Sequence, residues 1–156
     1  MNRTLLFAIL IFLASLLIYI LTLAPTIYWQ DSAAFASASY TLGIPFSPGF
    51  PVYVLLGRIF SLFPAQNPAW PVNFMSAFWG SLSLAILFLM IAQILRRGST
   101  TNLSFGHSTI IASFILFFGF TTSFWSQTFR AEVYSLNFLF TLLLIFSLSH
   151  FERGLG

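Results

Sequence analysis

The chain has 156 residues, of which 58% are hydrophobic and only 6% are charged. A soluble domain carries about 25% charged residues, so this composition argues against a water-soluble globular protein. The absence of cysteine excludes disulfides and thiolate metal sites. The six cations, all arginine, form no basic run of the kind that binds nucleic acid. The composition therefore predicts a membrane protein with membrane lipids, and no nucleic acid, as partners.

Four apolar segments are long enough to cross a membrane, since a helix needs roughly 20 apolar residues to span the hydrocarbon. The predicted spans are residues 5–23, 72–95, 108–124 and 133–150. Backbone groups in lipid must be satisfied within their own segment, which predicts helices and not strands. Arg3 before the first apolar segment is also a feature of signal peptides. The length of that segment, and Pro25 after its best cleavage position, favour a retained anchor.

The arginines predict the orientation of these helices. With the N-terminus inside the cell, four of the six arginines lie on the cytoplasmic side, namely Arg3, Arg96, Arg97 and Arg153. Arg58 and Arg130 then lie on the other side, together with Asp31 and Glu132. The prediction is a multi-pass protein of the plasma (inner) membrane whose two acids share the extracytoplasmic compartment.

The connection over residues 24–71 is the predicted extracytoplasmic first loop, and connections of this length usually carry function. Asp31 precedes a run of small residues that is compatible with a helix, and it is placed to cap that helix. Three prolines between residues 45 and 51 predict an extended path. Apolar residues at helical spacing from Val52 to Phe63 then predict a helix along the membrane interface.

Few ionisable residues are available for chemistry. Asp31 is either a helix cap or a general base that takes a proton from an attacking hydroxyl group. Glu132 is either favoured by the positive end of the fourth helix or is a second acid of the same site. Arg58 and Arg130 either bind a lipid phosphate or pair with headgroups or with the two acids.

Several short motifs, taken in chain order, resemble one membrane family. They are Leu23-Ala24-Pro25-Thr26, Trp29-Gln30-Asp31-Ser32, Leu42-Gly43, Ser47-Pro48-Gly49-Phe50-Pro51-Val52-Tyr53, Asn73-Phe74-Met75-Ser76-Ala77, Phe124-Trp125-Ser126-Gln127 and Glu132-Val133-Tyr134-Ser135-Leu136-Asn137. Over most of the chain this pattern resembles the protein O-mannosyltransferase-like family of the GT-C glycosyltransferase superfamily. The resemblance implies an all-α integral membrane fold and transfer of a sugar, expected to be mannose. The donor would be a polyprenyl-phosphate sugar, and the acceptor a hydroxyl group of a protein or glycan on the outer face.

The resemblance also implies roles for particular residues. Asp31 falls on the loop acid that usually acts as the base, and Glu132 falls on the Glu-Val-Tyr motif. The remaining residues that we expect to bind substrate or phosphate are Arg58, Arg130, Trp29 and Tyr53. No cofactor is implied beyond the lipid-linked donor, and a divalent metal is left open.

The chain departs from the family pattern in the loop. Ala33-Ala34 replaces the usual Gly-Glu, and Phe46 and Phe50 stand where a histidine and a tyrosine are usual. These changes favour a second reading, a non-catalytic membrane scaffold or assembly subunit that retains the fold. A transporter ranks below both, because the span interiors carry no charge. Since family members are longer, residues 1–156 are expected to be a single membrane domain from the N-terminal part of a larger protein.

Overall fold

The computed structural model describes residues 3–29, 31–97 and 104–154 of the chain. The side chains of Arg97 and of residues 150–154 fall outside this description, and with them Glu152 and Arg153. Within the described ranges the chain forms seven helices and no strand, which confirms the predicted all-α fold. The helices are α1 (Arg3–Leu21), α2 (Ser32–Thr41), α3 (Pro51–Phe60), α4 (Ala69–Arg97), α5 (Phe105–Gly119), α6 (Thr122–Trp125) and α7 (Tyr134–Gly154).

Two of these helices, α1 and α4, are long and apolar enough to cross a membrane. Helix α1 has 19 residues and helix α4 has 29. The apolar parts of α5 and α7 are shorter than 18 residues. Each of the four predicted spans therefore overlaps an apolar helix, and in the described part of the chain two of these helices, α1 and α4, reach spanning length.

The third predicted span is divided by a turn after Gly119. The Tyr19 hydroxyl of α1 donates a 2.7 Å hydrogen bond to the Gly119 carbonyl. A Cβ atom on Gly119 would lie 2.5 Å from a methyl carbon of Leu84, so the missing side chain lets α5 approach α4 closely. Thr121 is extended, with φ −63° and ψ 145°, and the short helix α6 starts after it. The predicted continuous helix through Phe124 is therefore α5, a turn and α6.

Helix α4 lies at the centre of the fold and contacts α1, α2, α3, α5 and α7. One apolar cluster, which includes Tyr19, Leu84 and Phe88, fills the space between α1, α4 and α5. A second cluster joins the start of α4 to the helices of the long loop and to α7; it includes Phe35, Tyr53, Val72, Met75 and Leu136. The long loop thus packs on the same end of α4 that receives the start of α7.

Helices α2 and α3 pack closely at Gly57. A Cβ atom at this position would lie 2.7 Å from the Cβ atom of Ser39. Ser39 is fully buried, so it has little room to move away. The close approach of the two helices therefore depends on glycine at position 57.

We predict that Gly57→Ala destabilises the protein by about 1–3 kcal/mol, because the added methyl group overpacks the contact with α2. The matched control is Gly106→Ala in α5, where the nearest atom to a new Cβ is 3.9 Å away. That change should be neutral or stabilising by up to about 1 kcal/mol, since alanine is the better helix former. Thermal unfolding in detergent micelles measures both; equal effects would contradict the proposed helix contact.

Candidate functional site

Asn73, in the first turns of α4, holds two loops together. Its side-chain amide group donates hydrogen bonds to the carbonyls of Ala24 (2.8 Å) and Thr26 (3.0 Å), which follow α1. Its side-chain oxygen accepts a 2.8 Å hydrogen bond from the backbone N–H of Ala131. The side chain is fully buried, so these contacts are shielded from water. We call this arrangement the Asn73 clasp.

Ser76, one helical turn further along α4, fixes the backbone of Glu132. Its hydroxyl accepts a hydrogen bond from the Glu132 N–H at 3.2 Å and lies 3.3 Å from the Glu132 carbonyl, to which it donates. A direct bond between the loops adds to this, since the Ala24 N–H donates to the Phe129 carbonyl at 2.9 Å. Asn73 and Ser76 together therefore set the path of the chain that carries Arg130 and Glu132.

Arg130 and Glu132 form a buried ion pair. The Arg130 Nε and Glu132 Oε1 atoms are 3.3 Å apart, and the two side chains are 9% and 2% exposed. The Arg130 guanidinium also lies 5.8 Å from the centre of the Phe129 ring. Pairing with an acid was one of the two alternatives that the sequence left open for Arg130. Because both charges are withdrawn from water, removing either would leave the other uncompensated.

The environment of Glu132 acts on its pKa in opposing directions. Burial raises the pKa of the carboxyl group, because an apolar environment disfavours the ionised form. The charge of Arg130 lowers this pKa, and the negative charge of Asp31 raises it; a hydrogen bond from Arg130 lowers it further. The net pKa shift of Glu132 is upward from the ordinary value. Geometry places the two carboxylates at the same end of the helices, because Asn73 binds both Thr26, five residues before Asp31, and Ala131, directly before Glu132.

Asp31 is exposed and immediately precedes α2. Its backbone is already helical, with φ −78° and ψ −5°, and its side chain makes no capping hydrogen bond. The predicted capping role is therefore wrong. Ser32 makes the local contact instead, since its hydroxyl lies 3.4 Å from the Tyr28 N–H. The Asp31 carboxylate is thus held near the start of α2 by the backbone and faces solvent.

Arg58 lies at the C-terminal end of α2, whereas Asp31 precedes its N-terminal end. Its guanidinium donates a 2.8 Å hydrogen bond to the Tyr40 carbonyl and lies 5.7 Å from the centre of the Tyr40 ring. Tyr40 is nine residues after Asp31, which is about 13 Å along an α-helix. The structure therefore brings Arg130, but not Arg58, to the end of the fold that carries Glu132. Arg58 ties α3 to α2.

Tyr53 and Trp29, the aromatic residues of the predicted site, differ in their surroundings. Tyr53 is 3% exposed, and within the described residues its hydroxyl has no hydrogen-bond partner of good geometry. Burial raises the pKa of the Tyr53 hydroxyl; the neighbouring Ser76 opposes that shift and the charge of Glu132 adds to it. Trp29 is 79% exposed. Tyr53 therefore lies beside the buried acid, whereas Trp29 lies on the surface beside Asp31.

Tyr53 also lines a cavity of about 390 Å³ between the start of α3 and the first turns of α7. The walls are mostly apolar and include Phe50, Val133 and Leu136, with the amide of Asn137 as a polar group. Because Val133 follows Glu132 directly, this cavity adjoins the buried ion pair. In the described part of the chain, no three His, Asp or Glu side chains form a group that could hold a metal ion.

The roles of Asn73 and Ser76, which bind the backbone of the two loops of this site, were not predicted from the sequence. A signal was present, since Asn73 and Ser76 are polar residues one turn apart at the start of a mainly apolar predicted span. Polar side chains in such helices commonly form hydrogen bonds to neighbouring segments. The pattern alone, however, did not show that backbone groups of two distant loops are the partners.

Comparison with known proteins identifies the family of the chain. Residues 31–154 match the family described as "Protein O-mannosyl-transferase TMEM260 N-terminal domain". This range contains Asp31, the start of α4 with its clasp, and the Arg130–Glu132 pair. The match places the chain in the O-mannosyltransferase-like class of proteins. Within that class, the chain belongs to the TMEM260 N-terminal domain family.

Curated relatives bear names of the same kind. "Protein O-mannosyl-transferase TMEM260" of Mus musculus is 30% identical over 138 residues, which are 88% of this chain and 18% of the mouse protein. "Protein O-mannosyl-transferase tmem260" of Dictyostelium discoideum is 26% identical over 141 residues, 88% of this chain and 16% of that protein. The chain thus spans less than a fifth of the length of either relative. No solved structure matches the chain.

We predict that Asn73→Leu destabilises the protein by more than about 3 kcal/mol, because two carbonyls and one N–H lose their buried partner and each unsatisfied group costs about 1–3 kcal/mol. The matched control is Asn137→Leu on the exposed side of α7, which should change stability by less than about 0.5 kcal/mol. Thermal unfolding of both variants is the measurement. A similar loss of stability in the two would contradict the Asn73 clasp.

We predict that Arg130→Met costs about 3–5 kcal/mol at neutral pH, because it leaves the Glu132 charge buried without its partner. It should also raise the pKa of Glu132 further, since the lowering effect of Arg130 is lost. The folded state then binds the Glu132 proton more tightly than the unfolded state, so the loss should shrink as the pH falls through the raised pKa toward 4.5. Thermal unfolding across this pH range measures it.

The double variant Arg130→Met with Glu132→Gln controls for simple loss of packing. It removes both charges, so it should be more stable than Arg130→Met alone at neutral pH and should lose the pH dependence. Additive effects of the two substitutions at every pH would show that the ion pair does not form.

Proposed function

We propose that the chain is the membrane module of a GT-C type glycosyltransferase. In this proposal the enzyme transfers a sugar, mannose by analogy with the relatives' names, from a polyprenyl-phosphate donor to a hydroxyl group of a protein or glycan acceptor. Family membership supports the reaction class. The observation that carries the proposal is the exposed Asp31 carboxylate at the same end of the helices as the buried Arg130–Glu132 pair, an arrangement fixed by the hydrogen bonds of Asn73.

The proposed membrane arrangement has α1, α4, α5 and α7 as the four spans, with α2 and α3 at the extracytoplasmic interface. The exposed apolar side chains support it, because lipid is the environment that they suit. On α5 these include Ile110, Phe114 and Phe117, and on α7 Phe140 and Leu144. On α3 they are Val52, Leu55 and Ile59, which form one face as expected for an interfacial helix.

Asp31 is the proposed general base. As the acceptor oxygen attacks the anomeric carbon of the donor sugar, its proton passes to the Asp31 carboxylate. The bond from that carbon to the donor phosphate breaks, and the bond electrons leave with the phosphate. Exposure and the missing cap suit this role, because a carboxylate must reach the acceptor proton directly or through one water molecule.

Arg130 is the proposed partner of the leaving phosphate, because a guanidinium group stabilises negative charge that develops on phosphate oxygens. Glu132 positions Arg130 through the ion pair. Arg58 binds the carbonyl of Tyr40, about 13 Å along α2 from Asp31, and acts on the packing of the loop helices. This assigns the cation at the reacting centre to one of the two arginines that the sequence left open.

The cavity beside Tyr53 is the proposed seat of the donor's first isoprene units. Its apolar walls suit a hydrocarbon chain, and its position next to Val133 brings that chain to the ion pair. The exposed Trp29 would lie beside the sugar at the surface. The donor would thus lie between α3 and α7, with its phosphate toward Arg130.

We predict that Asp31→Asn lowers transfer by about 10²- to 10⁴-fold, because it removes the proton acceptor while leaving the shape of the side chain. The matched control is Glu152→Gln, which changes the remaining acid of the chain outside the site and should leave transfer within about twofold. The assay is transfer of radiolabelled mannose from polyprenyl phosphate to a peptide acceptor by the full-length protein in vesicles. Transfer by Asp31→Asn at the rate of the unaltered protein would remove Asp31 from the reaction.

A non-catalytic scaffold is the second candidate, and one observation favours it. Phe46 and Phe50, at the positions of the family's usual histidine and tyrosine, pack against Phe35 with ring centres 5.2 and 5.3 Å away. These positions are therefore used for aromatic packing. A scaffold would keep its cellular function in the Asp31→Asn variant and lose it on disruption of the Asn73 clasp, whereas an enzyme would lose it in both.

A further inference from the structure

Helix α3 presents an apolar face that no part of the described chain covers. Val52, Leu55 and Ile59 lie along one side of the helix, and between 51% and 59% of each is exposed. Leu62 and Phe63, which follow the helix, continue this surface and are 69% and 59% exposed. We call these five residues the α3 apolar face. A continuous exposed apolar surface marks a place where a protein meets lipid or a partner.

Arg58 lies at the border of the α3 apolar face. Since successive residues are about 100° apart around a helix, Arg58 is about 60° from Leu55 and about 100° from Ile59. Its guanidinium group is held in place by the hydrogen bond to the Tyr40 carbonyl and by the Tyr40 ring. Its remaining nitrogen atoms have no hydrogen-bond partner among the described residues, and they are not enclosed by the protein. Arg58 thus offers accessible N–H donors at a fixed position.

The charge of Arg58 has no acidic partner in the described part of the chain. Arg58 is the single charged residue between positions 32 and 95. Asp31 precedes the opposite end of α2, about 13 Å along the helix from the Tyr40 carbonyl. Glu132 is buried against Arg130. Charge complementarity therefore favours an anion from outside the described chain at this border.

The apolar face and the cation together define the chemistry of the partner. A helix at the membrane surface buries its apolar face among the upper parts of the acyl chains, and an arginine at its border extends to the level of the headgroups. There a guanidinium group binds phosphate oxygens through charge-assisted hydrogen bonds. An anionic phospholipid supplies both the acyl chains and the phosphate. In a zwitterionic lipid the ammonium group competes with Arg58 for the same phosphate.

We propose that Arg58 and the α3 apolar face form a binding site for an anionic phospholipid of the extracytoplasmic leaflet. The phosphate binds the Arg58 guanidinium, and an acyl chain lies along Leu55 and Ile59. The proposal rests on the proposed function only for the membrane arrangement, which places α3 at the interface. Because the same guanidinium binds the last turn of α2, the bound phosphate also stabilises the helix that follows Asp31.

The test is a thermal-shift titration of the purified full-length protein in detergent micelles with phosphatidylglycerol and, separately, with phosphatidylcholine of the same acyl chains. Phosphatidylglycerol should raise the melting temperature in a saturable manner. It should do so at about tenfold lower concentration than phosphatidylcholine, since its phosphate is free to bind the arginine. Glycerol phosphate, the headgroup without acyl chains, should have no effect at these concentrations because it lacks the apolar contacts.

Three variants separate the charge from the apolar face. Arg58→Gln should remove the difference between the two lipids, and Leu55→Ser should weaken the effect of both. Arg3→Gln, which changes an exposed arginine at the start of α1, is the matched control and should keep the difference. The readout compares two lipids on one protein, so it does not depend on stability lost with the bond to Tyr40. If Arg58→Gln fails to fold, Leu55→Ser, on the exposed surface, still tests the site.

Four results would overturn the proposal. Equal effects of the two lipids on the unaltered protein would leave the α3 apolar face to a protein partner. The same loss of preference in Arg3→Gln as in Arg58→Gln would show general attraction to positive charge. A response to glycerol phosphate alone would show a simple anion site. Unchanged lipid effects in Leu55→Ser would show that the acyl chains do not contact α3.

The remaining outcomes separate the lipid site from the proposed function. Asp31→Asn should lose transfer but keep the preference for phosphatidylglycerol. A preference that depends on Arg58 in a protein that transfers no sugar would support the lipid site and contradict the enzyme. Transfer that depends on Asp31 in a protein without the lipid preference would support the enzyme and overturn the lipid site.

Discussion

The fully buried amide of Asn73 is the contact on which the candidate site depends. One side chain binds carbonyls that follow α1 and an N–H that precedes α7, and these segments are more than 100 residues apart in the chain. Without the clasp, three backbone groups would be left unsatisfied in the interior, which is the costly alternative. Ser76 continues the same function one turn later by binding both backbone groups of Glu132. The central helix therefore determines where the two acids can lie.

In this arrangement the three charged residues of the site, Asp31, Arg130 and Glu132, have different surroundings. Arg130 and Glu132 are buried and compensate each other, so their contribution depends on fixed geometry. Asp31 is exposed and uncapped, so its carboxylate is available to a substrate. The apolar cavity beside Tyr53 adjoins this pair through Val133, which follows Glu132 directly.

Much of the fold could be predicted because its helices are marked by long apolar runs, as in α1 and α4. The ionic pairing of Arg130 with Glu132 was also among the predicted alternatives, since the two residues are close in sequence. The break after Gly119 was not predicted, because it depends on the Tyr19 hydroxyl from a distant helix. The contact of Arg58 was likewise not predicted, because its partner is a backbone carbonyl of α2, a helix that is distant in the sequence. The predicted capping role of Asp31 is wrong because its backbone is already helical, whereas a capping residue has a non-helical backbone that directs its side chain at the free N–H groups.

The most direct test of the account is the pKa of Glu132 with and without the charge of Asp31. Residues 1–156 contain two glutamates, so ¹³C-labelled glutamate in a Glu152→Gln background of these residues reports on Glu132, and NMR titration gives its pKa. Because the clasp places the two carboxylates at one end of the helices, the account predicts a lower pKa for Glu132 in the Asp31→Asn variant. An identical pKa in both proteins would mean that the two carboxylates do not share a site, and the proposed reaction centre would be contradicted.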